Sequence, residues 1–351
     1  MLFGAVRLML AAASLVLLCD ADKECLKTFI HTEAVVTYAQ DQKRILLNQC
    51  AGSELQNAIE IEVKGKEVPS VKTGAFRDID TLKKVAMVDC KIFHIDRNIL
   101  LNLPNIKTLL LKRNNFEIVP ELAFANLTSI QHIDLSENHL KNVQHDAFRD
   151  SNNLVTVNLN RNKLTHYYPS WFKPSSETIE TIDLSHNKFK YFARSSFKGL
   201  NKLTTLLLNN NQLRSLHPQS FEEVTSLQTL DLSHNYIAEL YRQMTASFAK
   251  SKIDLRLNNN HLNYLLEETM SHVQFGKVSV HANPWKCACY NKILTWAEKY
   301  KNDVQFADNS CGDRMPVCIE QERFPKKCTQ QKDPNITQQY YYSYEKIACN
   351  K

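Results

Sequence analysis

Two short words in the 351-residue sequence hold the side chains of a serine hydrolase, Asp183-Leu-Ser185-His186 and Asp231-Leu-Ser233-His234. A serine activated by a histidine that a carboxylate orients is the machinery of acyl transfer. Such a site must be one unique constellation, because it surrounds one reacting carbonyl. Here the word is copied at multiples of a fixed interval, which marks it as part of a repeating surface. His132, His139 and His145 lack the HExxH spacing of a zinc site, and no doubled Cys-x-x-Cys occurs. Seven scattered glycines cannot build a phosphate-cradling loop. No catalytic residue, metal or cofactor is expected.

The interval itself is the strongest signal. Around Ile130-Gln-His-Ile133-Asp-Leu135-Ser-Glu-Asn138-His-Leu140 the pattern reads LxxLxLxxNxL, and its asparagine position falls at 66, 90, 114, 138, 162, 187, 211, 235, 260 and 283. Asparagine holds eight of the ten, with Lys66 and Cys90 as the departures. This motif at a spacing of 20–29 residues is the leucine-rich-repeat signature. The resemblance implies an α/β repeat fold, a leucine-rich-repeat solenoid. Its strands form a parallel β-sheet on a concave face, with irregular or short-helical segments on the convex side.

Pairs such as Leu109 and Leu111, Leu206 and Leu208, or Leu230 and Leu232 then point inward from short strands, since side chains alternate. Phe76, Phe124, Phe148, Phe172, Phe197, Phe221 and Phe248 recur in the second half of the coils and are expected to stack as a spine. The asparagine amide is expected to bond backbone groups left unpaired at the bend. A thiol is a poor substitute for it, so Cys90 reads as a buried free cysteine.

The positions between the leucines remain free to meet a partner. In the first coils these are Lys84, Ala86, Val88, Leu110, Lys112 and Arg113. Next come His132, Asp134, Ser136, Glu137, Asn158 and Arg161. The following coils offer Asp183, His186, Leu207, Asn209, Asn210, Asp231 and His234, and the last Asp254, Arg256, Lys277 and His281. Leu110 and Leu207 carry most weight, because a large apolar group on a solvent-facing sheet is a candidate contact.

The two ends differ from the repeats. Residues 1–21 read as a signal peptide, with Arg7 before the apolar run Leu8–Leu18 and small residues before the cut. That run is shorter than the roughly 20 residues needed to span a bilayer, and no later stretch is longer. Residues 22–57 form an N-terminal cap with Cys25 and Cys50 as its disulfide, and with strands near Ala34–Tyr38 and Ile45–Leu47. Repeats occupy 58–285. Nine of ten cysteines follow the signal peptide, and Asn126-Leu-Thr128 and Asn335-Ile-Thr337 are glycosylation sequons, so a secreted, disulfide-bonded glycoprotein is expected.

Asn283-Pro-Trp285, Cys287-Ala-Cys289 and the helix-forming run to Tyr300 resemble the cysteine-rich C-terminal cap of extracellular leucine-rich-repeat proteins, here 286–328. That resemblance implies pairs Cys287 with Cys311 and Cys289 with Cys328. Cys318 and Cys349 stay unassigned; they are candidates for an extra or an intermolecular disulfide. Residues 329–351 read as a partly ordered tail.

The whole arrangement is similar to the secreted immune leucine-rich-repeat proteins of insects, a group that recognises microbes or carries opsonins in disulfide-linked complexes. The expected function is non-enzymatic recognition of a protein or microbial-surface ligand by the concave face, in innate immunity. The alternatives are an inhibitor of a protease or nuclease, which needs a strongly charged face, and a matrix or adhesion component. The only basic stripe for the latter is Lys286, Lys292, Lys299 and Lys301. The net charge of +6 comes from bases interleaved with acids, which argues against nucleic acid.

Overall fold

A computed structural model describes residues 28–246, 248, 252–265, 267–271, 273, 275–300, 303–306, 318–319, 328 and 334–346. The expected signal peptide, Cys25, Cys311 and Cys349 lie outside them. The chain forms two compact units, Met1–Asn158 and Leu159–Lys351.

The first unit opens with a hairpin. Thr32–Thr37 pairs antiparallel with Gln42–Leu47 and, on its other edge, with Glu60–Lys64. Its alternation buries Thr32, Ala34 and Val36 and leaves their neighbours half-covered, as a strand with one apolar face requires. From Glu60–Lys64 the sheet continues in parallel through Lys84–Val88, Thr108–Leu110, His132–Asp134 and Thr156–Asn158. The register sets Val85, Leu109, Ile133 and Val157 side by side, all buried.

In the second unit Thr181–Asp183, Thr205–Leu207, Thr229–Asp231, Ile253–Arg256, Phe275–Ser279 and Asp303–Gln305 pair in parallel. Its inner column is Ile182, Leu206, Leu230, Leu255, Val278 and Val304. The strand Asp303–Gln305 adds a further rung beyond the last recognisable repeat.

Each coil turns out of its strand in one way. The residue before the asparagine position is left-handed in all ten: Gly65, Asp89, Arg113, Glu137, Arg161, His186, Asn210, His234, Asn259 and Ala282, with φ between 50° and 62°. For a non-glycine residue this conformation costs about 1–2 kcal/mol. Pairing offsets it: the N–H of Arg113, His186, Asn210 and His234 each donates to a carbonyl of the next coil at 2.9–3.0 Å.

The asparagine completes the turn. Asn211 Nδ2 donates to the Leu184 and Leu208 carbonyls at 3.0 Å, and its Oδ1 accepts the Phe189 N–H at 3.1 Å. Asn114, Asn187, Asn235, Asn260 and Asn283 repeat this three-way bond. Cys90 is free and buried, and its thiol faces the Val63 carbonyl 27 residues earlier at 3.2 Å. That is the offset at which Asn114 reaches the Met87 carbonyl. A single S–H thus stands in for an amide that donates two hydrogens.

Five of the seven expected phenylalanines pack ring to ring within a unit, while Phe76 instead meets Phe29 edge-on at 5.5 Å and Phe172 packs beside Tyr167 and Trp171. Phe124 lies 5.7 Å from Phe148, Phe197 5.5 Å from Phe221, and Phe221 5.4 Å from Phe248. All are buried, each contributing on the order of 1.5–3 kcal/mol.

Two readings of the C-terminal region need correction. Residues read as a tail contain the helix Pro334–Lys346, with Ile336 and Tyr340 essentially inaccessible. These two stand one helical turn apart, so the helix has an apolar edge to bury where the sequence looked merely polar and tyrosine-rich. The second concerns the cap disulfides. Cys289 joins Cys328, but Cys287 joins Cys318, not the implied Cys311. The Trp285–Ile319 backbone bonds place Cys318 there, by bridging Lys286 to Ile319 immediately beside both cysteines. Cys50 is also disulfide-bonded.

Candidate functional site

The outward positions of each unit's strands form the candidate site, and the register fixes their neighbours. In the first unit Ala86, Leu110, Asp134 and Asn158 lie side by side on consecutive strands. Leu110, Asp134 and Asn158 are half-buried, as is Lys84, while Arg113, His132 and Glu137 are exposed and Lys112 is partly so. Two expected surface residues are not available: Ala86 is 2% exposed and Val88 5%. Both are short, and the register flanks Ala86 with Glu62 and Leu110, and Val88 with Lys64, whose longer chains can cover them.

In the second unit the corresponding row is Asp183, Leu207, Asp231 and Arg256. Leu207 is therefore an apolar side chain between two carboxylates on adjacent strands. Asp183 is half-buried, Arg161, His234 and Arg256 are exposed, and Asp231 is buried, contrary to expectation. Asp231 is covered because it serves the fold. Its Oδ1 accepts the Ser233 N–H at 2.9 Å and the Ser233 hydroxyl at 2.6 Å, and its Oδ2 lies 3.1 Å from Arg256 Nη1.

Asp183 makes the same pair of bonds to Ser185, and its Oδ2 accepts from Asn160 at 3.0 Å. Each serine hydroxyl thus donates its one proton to the carboxylate two residues before it. Ser136, Ser185 and Ser233 are all buried, so Ser136 is not a partner contact either. Burial, followed by the charge of Arg161, holds His186 below the ordinary histidine range, with Asp183 opposing. Among the described residues no group of three His, Cys, Asp or Glu could hold a metal ion.

The sequons fall on different surroundings. Asn126 and Thr128 are both exposed. Asn335 is exposed near the start of its helix, whereas the Thr337 hydroxyl accepts from Asn263 at 3.2 Å. The proposed basic stripe loses a member, since Lys286 is buried beside the cap disulfide. Lys292 and Lys299 are exposed, and Lys301 lies outside the described residues.

One cluster escaped the sequence reading. Tyr236 and His261 occupy the position just after the asparagine in consecutive coils, with ring centroids 5.3 Å apart, and Tyr341 of the C-terminal helix lies 5.2 Å beyond His261. The available signal was Tyr236 and His261 standing where the two preceding coils have Lys188 and Gln212.

Comparison with known proteins agrees with this geometry. A family model described as Leucine rich repeat matches residues 177–237, and one described as BspA type Leucine rich repeat region (6 copies) matches 48–178. The crystal structure of the mouse RP105/MD-1 complex contains a chain of similar fold, with a TM-score of 0.61 and 21% identity. The match covers 72% of this chain and 42% of that one, so this chain spans less than half of its length. No curated protein matches the sequence.

Proposed function

We propose a recognition function for this chain, which belongs to the leucine-rich-repeat family. It is a secreted module that binds a protein partner through its strand faces, in the setting of innate defence. Leucine-rich-repeat domains are in general protein-binding modules, because each coil contributes outward residues that the fold leaves free to vary. The observation that carries the reading is Leu207, held half-exposed between Asp183 and Asp231 where packing requires no leucine. Leu110 beside Asp134 is its counterpart in the first unit. An apolar centre with a polar rim is the arrangement that concentrates binding energy at an interface.

Secretion is supported by the apolar N-terminal run and by the cap disulfides, which persist in oxidising compartments. No helix among the described residues is long and apolar enough to cross a membrane. The immune setting rests on the resemblance to insect defence proteins; the similar mouse structure is itself a complex of two proteins. The mixed signs of Asp183, Asp231, Arg161 and Arg256 argue against an inhibitor that relies on a face of one charge.

The test is affinity capture from the extracellular fluid of the source with the native chain and with Leu207→Asp. A partner retained by the first and lost by the second, at equal melting temperature, supports the reading. Equal recovery by both, together with equal recovery by Leu110→Asp, would sink it.

A further inference from the structure

The second unit holds a cleft where the turns that end its strands meet the C-terminal helix. It has a volume of about 410 Å³ and is walled by His234, Tyr236, Asn259 and His261 from the coil turns and by Tyr340 and Tyr341 from the C-terminal helix. The Tyr341 hydroxyl donates to the Asn260 carbonyl at 2.9 Å, and the Asn263 amide donates to Thr337 at 3.2 Å, so the helix is fastened along this flank. A volume in the range of roughly 300–1,000 Å³ suits a small ligand.

The repeat does not explain the aromatic wall. At the position of Tyr236 the earlier coils of this unit have Lys163, Lys188 and Gln212, so nothing in the coil demands a ring. Tyr236 is 46% exposed, and leaving a large ring in water has no folding benefit. It sits at the head of a chain of rings that continues through His261 and Tyr341 to Tyr340.

The polar groups narrow the ligand. Asn211 and Asn235 also line the cleft but spend their amides on backbone carbonyls. His234, Asn259 and His261 remain along the wall, with His234 Nε2 3.3 Å from Asn259 Nδ2. Imidazoles and amides both donate and accept, which is what hydroxyl groups require. No Asp, Glu, Lys or Arg lines the cleft. Burial, and then Arg214, hold His261 below the ordinary histidine range.

We propose that this cleft binds a neutral sugar ring, stacked by its C–H face on Tyr236 and hydrogen-bonded through its hydroxyls to His234, Asn259 and His261. The face of an aromatic ring is electron-rich and attracts the polarised C–H groups of a pyranose. No charged side chain in the lining would pair directly with a charged sugar. The site shares His234 with the strand face but does not depend on the reading of Leu207 as a partner contact. Two sources can present such a sugar, a foreign glycan or a glycan attached at the Asn335 sequon on the same helix, and the test below separates them.

Saturation-transfer NMR with methyl mannoside, methyl galactoside, N-acetylglucosamine and N-acetylneuraminic acid tests this, on the full chain and on Asn335→Gln. Transfer to at least one neutral sugar and none to N-acetylneuraminic acid is expected. Tyr236→Phe should retain binding, while Tyr236→Gln, which copies the preceding coil, should weaken it about tenfold. Leu207→Asp should leave it unchanged. Binding seen only in Asn335→Gln assigns the cleft to the chain's own glycan. The proposal is overturned if no neutral sugar binds either protein, or if folded Tyr236→Gln binds as the native chain does.

Discussion

Arg256 Nη1 stands 3.1 Å from Oδ2 of Asp231 across one pair of strands, yet the carboxylate is nearly buried and the guanidinium more than half exposed. The two partners therefore have unequal roles. Asp231 also holds both protons of Ser233, so Asp231→Ala strands two donors in the sheet and should cost about 1–3 kcal/mol. Arg256→Ala removes a mostly exposed guanidinium and takes one donor from Asp231 Oδ2, while Oδ1 keeps both Ser233 bonds, so it should cost less than Asp231→Ala. Thermal melts of the two variants check the order, and equal losses would contradict it.

Truncating the asparagine ladder should give graded losses. Asn211→Ala leaves the Phe189 N–H unpaired and takes one of two amide donors from each of the Leu184 and Leu208 carbonyls, which Asn187 and Asn235 still serve, a loss of about 1–3 kcal/mol. Asn138 donates to Leu111, Leu135 and Ser136, but its Oδ1 is buried without a partner. Asn138→Ala should therefore cost less than Asn211→Ala in urea titrations.

Cys90 ties stability to alkaline pH. Burial, the largest influence, raises its thiol from 9.0 to about 11. The folded state thus favours the protonated thiol. Its contribution is complete below pH 9 and is lost as pH rises through about 11. Native protein at pH 8 should resist iodoacetamide at Cys90, and Cys90→Ala should flatten the decline in melting temperature between pH 9 and 11.

Gly276 is required by a neighbour's carboxylate. A Cβ at this position would overlap Asp254 Oδ1, the atom that accepts the Lys277 N–H at 2.8 Å, so the carboxylate would have to leave that bond. Gly276→Ala should destabilise by about 1–3 kcal/mol. Asp254→Ala removes both the clash and the bond, so the double variant should lose less than the sum of the singles.

Peptide mapping under non-reducing conditions should recover Cys287 linked to Cys318 and Cys289 linked to Cys328. Removing the first bond by Cys318→Ser should cost about 2–5 kcal/mol. A Cys287–Cys311 peptide would instead restore the pairing that the family resemblance implies.

The periodic spacing of leucine and asparagine sufficed to specify coils, inward columns, the phenylalanine stacks and the buried thiol. Each of these depends on a residue's place within its own coil and the matching place in the next, both readable along the chain. The surface was legible only in outline. Ala86, Val88 and Asp231 occupy outward positions and are nevertheless covered, because cover depends on the size and bonding of whichever residues stand alongside.

By itself the sequence determined the repeat, since a period near 24 residues with fixed apolar positions leaves one way to bury every leucine. Only the tertiary structure decided that Cys287 meets Cys318, that Leu207 lies between two aspartates, and that Tyr341 closes a cleft over His261. The physical reason is range. Repeat contacts recur at a constant offset, whereas these contacts join residues whose separation follows no period, or whose neighbours the repeat leaves free, so only folding brings them into register.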